Sequence, residues 1–145
     1  MLNLETFLPY RLSVLSNQIS QGIARTYEQR FGLSVTEWRV IAILGRFPGV
    51  SATEVAERSA MDKVAVSRAV RKLLEAGRIE RLANDSDRRA KHLHLSAAGE
   101  AVYDAIVPAA LAYEQAIVSA LDEGEREQLE RLIDKLSAAS HEVAD

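Results

Sequence analysis

The sequence predicts a mainly α-helical chain with one small β-hairpin (an α+β class). Across most of its 145 residues, apolar side chains recur every three or four positions, the spacing of amphipathic helices. Two short segments, 78–82 and 91–95, instead alternate and are separated by turn-forming residues, the pattern of a hairpin. Over residues 51–96 the order is helix, tight turn, second helix and hairpin, which is that of a winged helix-turn-helix.

Composition limits the possible classes of protein. The chain has 27% charged and 48% hydrophobic residues, as in ordinary soluble domains. It contains no cysteine, which excludes disulfides, thiol sensing and Cys-ligated metal sites. No apolar run approaches the roughly 18 residues of a membrane span, and the N-terminus lacks the pattern of a signal peptide. We therefore expect a cytoplasmic protein without a membrane partner.

The net charge of −3 hides an uneven distribution. Residues 1–61 carry a net +1, residues 62–96 a net +4, and residues 97–145 a net −8. Binding to phosphates needs a local basic surface rather than a high overall pI. The middle segment could supply such a surface, although an ordinary solvated charged face would have the same composition.

Residues 3–31 are predicted to form one long helix that ends at the capping residue Gly32. Leu4, Val14 and Phe31 make its apolar surface wider than a single core face requires. The helix should therefore pack both on its own domain and on a partner. Its main apolar stripe comprises Leu8, Leu12, Leu15, Ile19, Ile23 and Tyr27.

Two S-x-x-E capping boxes begin the next two helices, predicted at 34–46 and 52–58. The segment Phe47-Pro48-Gly49 separates them as a turn. A second turn, Ser59-Ala60-Met61, follows, and Asp62 is placed to cap the next helix. The two boxes are Ser34 with Glu37, and Ser51 with Glu54.

The helix predicted at 63–76 has two distinct sides when it is unrolled at about 100° per residue. The core side comprises Val66, Ala69, Val70, Leu73 and Leu74. The opposite side comprises Val64, Arg68, Arg71 and Glu75, flanked by Ser67 and Lys72.

Val64 is the informative residue on the outer side. An exposed β-branched side chain suits a thymine methyl group in the major groove, while Arg68 and Arg71 can reach guanine or phosphate. The alternative is a solvated basic face that happens to include one valine. We predict that this helix contacts DNA through Lys63, Val64, Ser67, Arg68, Arg71 and Lys72.

The hairpin is predicted to end in a basic tip. Residues 84–87 have the composition of a turn, and Arg88 and Arg89 follow them. Two guanidinium groups beside a groove-reading helix can follow phosphates or enter the minor groove. Asp87 could orient Arg89 through a charge-assisted hydrogen bond. The alternative is that all three only make a loop soluble.

The C-terminal segment is predicted to form two helices that do not belong to the DNA-reading core. The first, 97–121, is apolar on nearly every side and contains Pro108, which should bend it. The second begins at Asp122 and Glu125. Because both are too apolar for the surface of a monomer, we expect a helical dimer interface here.

Motifs along nearly the whole chain resemble the MarR family of bacterial transcription regulators. In the hairpin, Asp87-Arg88-Arg89 followed five residues later by Leu95-Ser96 resembles the family's D-x-R-x5-L-T pattern, with Ser in place of Thr. The segment LSVTEWRVIAIL, residues 33–44, also resembles the second helix of the family. The end of the groove-reading helix is similar as well, through Ser67-Arg68, Leu73-Leu74, Gly77, Ile79 and Arg81.

The resemblance implies a homodimer that binds double-stranded, pseudo-palindromic DNA, usually as a repressor. It places Ser67 and Arg68 in the major groove and Arg89, held by Asp87, in the minor groove. It divides the chain into a dimerisation region, 1–33 and 97–145, intertwined with a winged helix-turn-helix, 34–96.

The resemblance further implies release from DNA by a small, often aromatic and anionic, ligand. Effectors of the family bind in the crevice between the dimer base and the DNA-binding lobe. A buried arginine there could hold a carboxylate while aromatic rings clasp the ligand. The alternative is that Trp38 belongs to the core and Arg11 to a surface ion pair. The candidate residues are Tyr10, Arg11, Ser13, Trp38 and Arg39.

Other functions find little support in the sequence. No Gly-rich phosphate loop, G-x-S-x-G or H-E-x-x-H motif is present, so an enzyme is not expected, and no cofactor is implied. His92 and His94 could form a metal-binding pair, but no third Cys or His lies nearby, and we predict no metal site. The main competitor is a winged helix that contacts only proteins, which would not need aligned arginines beside Val64.

Overall fold

The computed structural model describes residues 1–84 and 87–144, with the backbone alone at residues 84 and 87–91. Helices account for most of the described residues, and a single two-stranded hairpin interrupts them, as the sequence predicts. The helices are α1 (Leu8–Phe31), α2 (Val35–Arg46), α3 (Ala52–Ser59), α4 (Lys63–Glu75), α5 (Ala97–Val118) and α6 (Glu123–Ala144). The strands are β1 (Ile79–Asn84) and β2 (Asp87–Leu95).

Helix α1 begins later than predicted, at Leu8 instead of residue 3. Pro9 lies in its first turn, where its fixed φ and missing N–H favour the start of a helix. The preceding residues form turns in which the Thr6 N–H donates to the Asn3 carbonyl over 3.3 Å. The end is as predicted: Gly32 adopts φ +64°, and its N–H donates to the Glu28 carbonyl over 2.9 Å.

Side-chain caps fix the starts of the three helices that follow. Both predicted capping boxes are present in α2 and α3. The predicted cap Asp62 accepts a hydrogen bond from the Ala65 N–H over 3.0 Å. These caps satisfy N–H groups that a helix start leaves unpaired, so short polar side chains determine where each helix begins.

The chain divides into two compact units, residues 1–110 and 111–145. The first has a hydrophobic core in which α2, α3 and α4 pack together with β2 and the last turns of α1. Its largest fully buried side chains are Tyr27, Leu33, Ile41, Leu44, Leu73, Ile79 and Ile106. The predicted core side of α4 is buried in this cluster, with Leu74 at its margin.

The hairpin strands are longer than predicted. They pair antiparallel from Ile79 opposite Leu95 to Asn84 opposite Asp87, with an irregularity in register between Ala83 and Asn84. Backbone pairing therefore continues into the predicted turn 84–87 and past the predicted strand end at residue 82. The sequence suggested an earlier end because Asn and Asp favour turns, but ladder hydrogen bonds do not depend on side-chain type. Asp85 and Ser86 lie outside the described residues.

Helix α5 ends at Val118, three residues earlier than predicted, and Pro108 lies inside it. Asp122 and Glu125 cap α6 reciprocally, as predicted, with Oδ1 of Asp122 accepting from the Glu125 N–H over 2.8 Å. No residue of α6 is buried. Among the described residues, no single helix is both long and apolar enough to cross a membrane; only α5 and α6 taken together, as a bent pair, meet that test of length and composition.

Candidate nucleic-acid interface

Helix α4 separates a buried side from an exposed side along its whole length. Val66, Ala69, Val70 and Leu73 are buried. The side chain of Val64 is 56% exposed, although it is apolar and β-branched. Packing thus fixes the rotation of the helix and leaves its other side available to a ligand. The exposed side also carries the predicted contacts Lys63, Ser67, Arg68, Arg71 and Lys72.

The turn between α3 and α4 sets the direction of α4. Ala60 adopts φ +51°, the left-handed region that non-glycine residues seldom enter. Its N–H and that of Met61 close the end of α3, the latter by donating to the Ala56 carbonyl over 3.2 Å. Asp62 then caps α4. This is the helix-turn-helix arrangement, in which the second helix projects its first turns outward.

A groove of about 470 Å³ lies between the start of α2 and α4. Arg68, Arg71 and Lys72 line one wall, while Ser34 and Thr36 line the other. The cations of α4 are therefore concentrated beside a concave surface. The contribution of α2 to this surface was not predicted from the sequence, because no spacing rule links residues more than 30 positions apart.

The hairpin formed by β1 and β2 is the wing of the winged helix-turn-helix, and the structure describes its Arg88 and Arg89 by their backbone alone. Arg88 and Arg89 belong to β2 and so lie on the second strand of the hairpin, beyond the turn. Their side chains and that of Asp87 lie outside the described residues, so the predicted bond between Asp87 and Arg89 stays a prediction.

The base of the wing is fastened to the turn between α2 and α3. Gly49 and Val50 pair with Leu93, and Nδ1 of His92 lies 2.6 Å from the carbonyl oxygen of Gly49. His94 also borders this turn, because a Cβ on Gly49 would meet its ring at 3.4 Å. Among the described residues, no group of three His, Cys, Asp or Glu side chains is placed to hold a metal ion.

A second, smaller pocket of about 120 Å³ lies between α1 and α2. The guanidinium Nη2 of Arg39 donates to the Ser20 hydroxyl over 2.9 Å. The ring of Trp38 lies between those of Tyr27 and Tyr103, with centroids 5.8 and 6.3 Å away. The pocket is lined by Ser20, Ile23, Tyr27, Val35, Trp38 and Arg39.

The predicted effector residues fall into two groups. Trp38 and Arg39 line this pocket, and Trp38 also packs partly against the core. Tyr10, Arg11 and Ser13 are exposed on α1 and precede Ser20 by about 10 to 15 Å along the helix. One chain therefore does not bring the two groups together. Ser20 and Tyr27, which were not predicted from the sequence, line the pocket together with Trp38 and Arg39.

Burial changes the acid–base behaviour of this pocket. Removal of the Tyr27 phenol from water raises its pKa from 10.0 to about 12, with a further rise from Glu28 and an opposing effect of Arg39. The phenol is neutral at physiological pH even without this shift, and burial extends its neutral range to higher pH. Its ring offers an apolar wall next to the cationic Arg39, a combination suited to an aromatic anion.

Comparison with known proteins agrees with this geometry. The model of a family described as "MarR family" matches residues 31–90. The HTH-type transcriptional regulator BilQ of Clostridium symbiosum is 32% identical over 108 residues, which cover 74% of this chain and 75% of that protein. An HTH-type transcriptional repressor of Mycobacterium bovis is 26% identical over 133 residues, or 91% of this chain and 92% of the relative.

Solved structures match over almost the full length. A MarR/EmrR family transcriptional regulator from Acinetobacter sp. ADP1 superposes with a TM-score of 0.88 at 28% identity, covering 97% of this chain and 99% of that chain. A MarR family regulator from Silicibacter pomeroyi gives a TM-score of 0.79 at 25% identity, covering 94% and 92%. The predicted winged helix-turn-helix with helical extensions at both ends is confirmed.

Proposed function

The chain belongs to the MarR family of transcriptional regulators, and from this premise we propose that it is a homodimeric repressor of a pseudo-palindromic operator, released by a small aromatic anion. That it is a DNA-binding regulator of transcription and not an enzyme follows from the family. The dimer, the operator and the ligand are the proposal.

The proposal that the protein recognises a DNA sequence rests on the exposed side of α4. A valine that is more than half exposed lies among cations, on a helix whose opposite side is locked into the core. Val64 suits a thymine methyl group, and Arg68 can form a bidentate pair with guanine. The net +4 of residues 62–96 supplies attraction to phosphates in a chain that is otherwise acidic.

Exposed apolar side chains support the homodimer. In α1, Leu12 and Leu15 are about half exposed, and in α6, so are Leu132 and Leu136. Apolar surface in such rows usually marks an interface with another chain. A two-fold dimer would present two α4 helices to half-sites about 34 Å apart, one turn of DNA.

The proposal of an aromatic, anionic ligand rests on the pocket between α1 and α2. Arg39 supplies a cation that a carboxylate can pair with, and Trp38 and Tyr27 supply rings for stacking. Because α2 belongs to the winged-helix core and α1 to the proposed dimerisation region, a ligand between them could change the spacing of the α4 helices. Repression is proposed because a relative from Mycobacterium bovis is named a repressor.

Selection from a random duplex pool tests the DNA part. We expect the protein to enrich a pseudo-palindrome whose half-sites are centred about 10 base pairs apart. Enrichment of a single half-site would contradict the dimeric reading. Failure to enrich any sequence would contradict operator recognition and favour a module that contacts only proteins.

Titration with aromatic carboxylates and their thioesters tests the ligand part. Active compounds should weaken binding to the selected site. The variant Arg39→Gln should lose this response, since its amide cannot pair with a carboxylate, and the matched variant Arg11→Gln should keep it if the pocket of a single chain suffices. If no compound in the panel changes DNA affinity, the proposed ligand class is wrong. If Arg11→Gln abolishes the response and Arg39→Gln does not, the better site for the ligand is the crevice between the dimer base and the DNA-binding lobe, as predicted from the sequence.

A further inference from the structure

Among the described residues, three hydrogen bonds join the wing strand β2 to the turn between α2 and α3. The Gly49 N–H donates to the Leu93 carbonyl over 2.9 Å, and the Leu93 N–H donates to the Val50 carbonyl over 3.0 Å. The third joins Nδ1 of His92 to the Gly49 carbonyl over 2.6 Å. Because a carbonyl oxygen only accepts, Nδ1 must carry the proton and donate it. This is the one contact of the three that depends on a side chain.

The surroundings of His92 explain why a polar ring occupies this position. Its other nitrogen, Nε2, is enclosed and has no hydrogen-bond partner among the described residues. An enclosed nitrogen without a partner is unfavourable, and an apolar side chain would fill the same space without that penalty. The bond from Nδ1 to Gly49 is therefore the feature that distinguishes histidine from leucine here.

From this geometry we propose that His92 is a positioning residue for DNA binding. Its bond to Gly49 fixes the direction in which the hairpin leaves the core. Arg88 and Arg89 precede His92 by four and three residues on β2, about 10 to 13 Å along the strand. A two-stranded hairpin has little stability of its own, so its direction depends on how its base is held. His92 thus affects DNA binding by orienting the wing, and it does not contact DNA itself.

This inference rests on the proposed DNA binding, and four full-length variants separate the two. His92→Leu keeps the volume but removes the donor. His92→Asn restores an N–H donor close to the position of Nδ1 and omits Nε2. Arg89→Ala tests the wing itself, and the double variant His92→Leu/Arg89→Ala tests whether both changes act through the same contact. The probe is the duplex that the wild-type protein selects, and the fold is checked by helical circular dichroism and thermal midpoint.

We expect His92→Leu to weaken binding by the dimer about ten- to a hundred-fold, the effect of one hydrogen bond lost in each of the two protomers. It should also make the plot of log affinity against log salt shallower by about two, as for one lost phosphate contact in each protomer. His92→Asn should restore affinity to within about two-fold of the wild type. In the Arg89→Ala background, His92→Leu should have little further effect, since the contact that it positions is already gone.

Three results would overturn the inference. One is equal affinity of His92→Leu and wild type at every salt concentration. Another is an Asn variant as weak as the Leu variant while both stay folded, which would assign the effect to ring packing. The third is full additivity of the effects of the two substitutions on the free energy of DNA binding. That result would show that His92 does not act through the contact made by Arg89. If Arg89→Ala also binds like the wild type, the wing assignment fails, and if the wild type selects no duplex, the proposed function fails.

Discussion

At the scale of single residues, the side chains proposed to contact DNA lie at different points along the exposed side of α4. Val64, Ser67 and Arg68 lie in the first half of the helix, the part that enters the major groove in this arrangement. Lys72 lies in its last turn and next to the α2 groove. Substitutions at the two ends should therefore have different consequences.

Arg68→Ala should relax preference at one base pair of each half-site, reducing discrimination there by about 1 to 3 kcal/mol. Arg89→Ala should weaken binding with only a modest change in preference, because a minor-groove or phosphate contact carries less sequence information. Both are measured by affinity for the selected duplex and for single-base variants of it. Wild-type affinity and preference in both variants would show that the reading surface is assigned to the wrong residues.

Tyr27 gives a prediction about pH. Its pKa is raised to about 12 in the folded chain and is about 10.0 when unfolded, so between these values the unfolded chain loses a proton that the folded chain keeps. The stability that the protonated Tyr27 phenol gives to the folded chain is fully present below pH 10 and is lost as pH rises towards 12. The free energy of unfolding of the wild type should therefore fall more steeply from pH 10 to 11.5 than that of Tyr27→Phe. Denaturant titrations at several pH values measure this, and parallel curves would contradict it.

At the scale of elements, the junction of the hairpin with α5 shows how closely the segments pack. Ser96 caps α5 by accepting from the Gly99 N–H over 3.1 Å, and its hydroxyl donates to the Gly77 carbonyl. A Cβ at Gly99 would lie far inside van der Waals contact with the backbone carbonyl oxygen of Arg78. Glycine is required at position 99 because the backbone of Arg78, just before β1, comes so close to α5, and not because of its own backbone angles.

Gly99→Ala should therefore destabilise the fold by about 1 to 3 kcal/mol, the usual effect of overpacking. Gly124→Ala in α6 is the matched control, because its Cβ would make only an ordinary contact at 3.4 Å with the Asp122 carboxylate. The control should be neutral or more stable by up to about 1 kcal/mol, since alanine favours helix. Both are measured by urea denaturation. A Gly99→Ala variant as stable as the control would contradict the close approach.

The boundaries of elements could be predicted where a side chain determines them. Ser34, Ser51 and Asp62 are short polar residues at helix starts, and each caps its helix as predicted. The start of α1 and the ends of the strands were wrong by several residues, because they depend on Pro9 and on pairing between strands. Neither has a periodic signal in the sequence.

At the scale of the whole molecule, the apolar rows of α1 and α6 determine the expected assembly. Both rows contain side chains that remain about half exposed, such as Leu15 at 53% and Leu132 at 49%. The helical spacing of apolar residues in the sequence predicted this excess of apolar surface. It could not show that Trp38 and Arg39 share a pocket with Ser20 and Tyr27, or that His92 meets Gly49, because such contacts join distant positions and arise only from packing.

The dimer is tested by mass in solution. The wild-type chain of 16.0 kDa should give a particle of about 32 kDa by sedimentation equilibrium. Leu132→Glu places a charge in the proposed interface and should shift the mass towards that of one chain, while Glu130→Gln on the same helix should not. A wild-type particle of one chain at micromolar concentration would contradict the proposed assembly.

If the basic surface of α4 and the wing binds DNA, the affinity for DNA must depend steeply on salt concentration. Two copies of this surface should neutralise several phosphates at once. We expect log affinity for the selected duplex to fall with log salt at a slope of about −5 or steeper, with a shuffled duplex bound more weakly at every salt concentration. A slope shallower than about −1, with equal affinity for both duplexes, would show that this surface does not bind DNA through its phosphates or read its sequence.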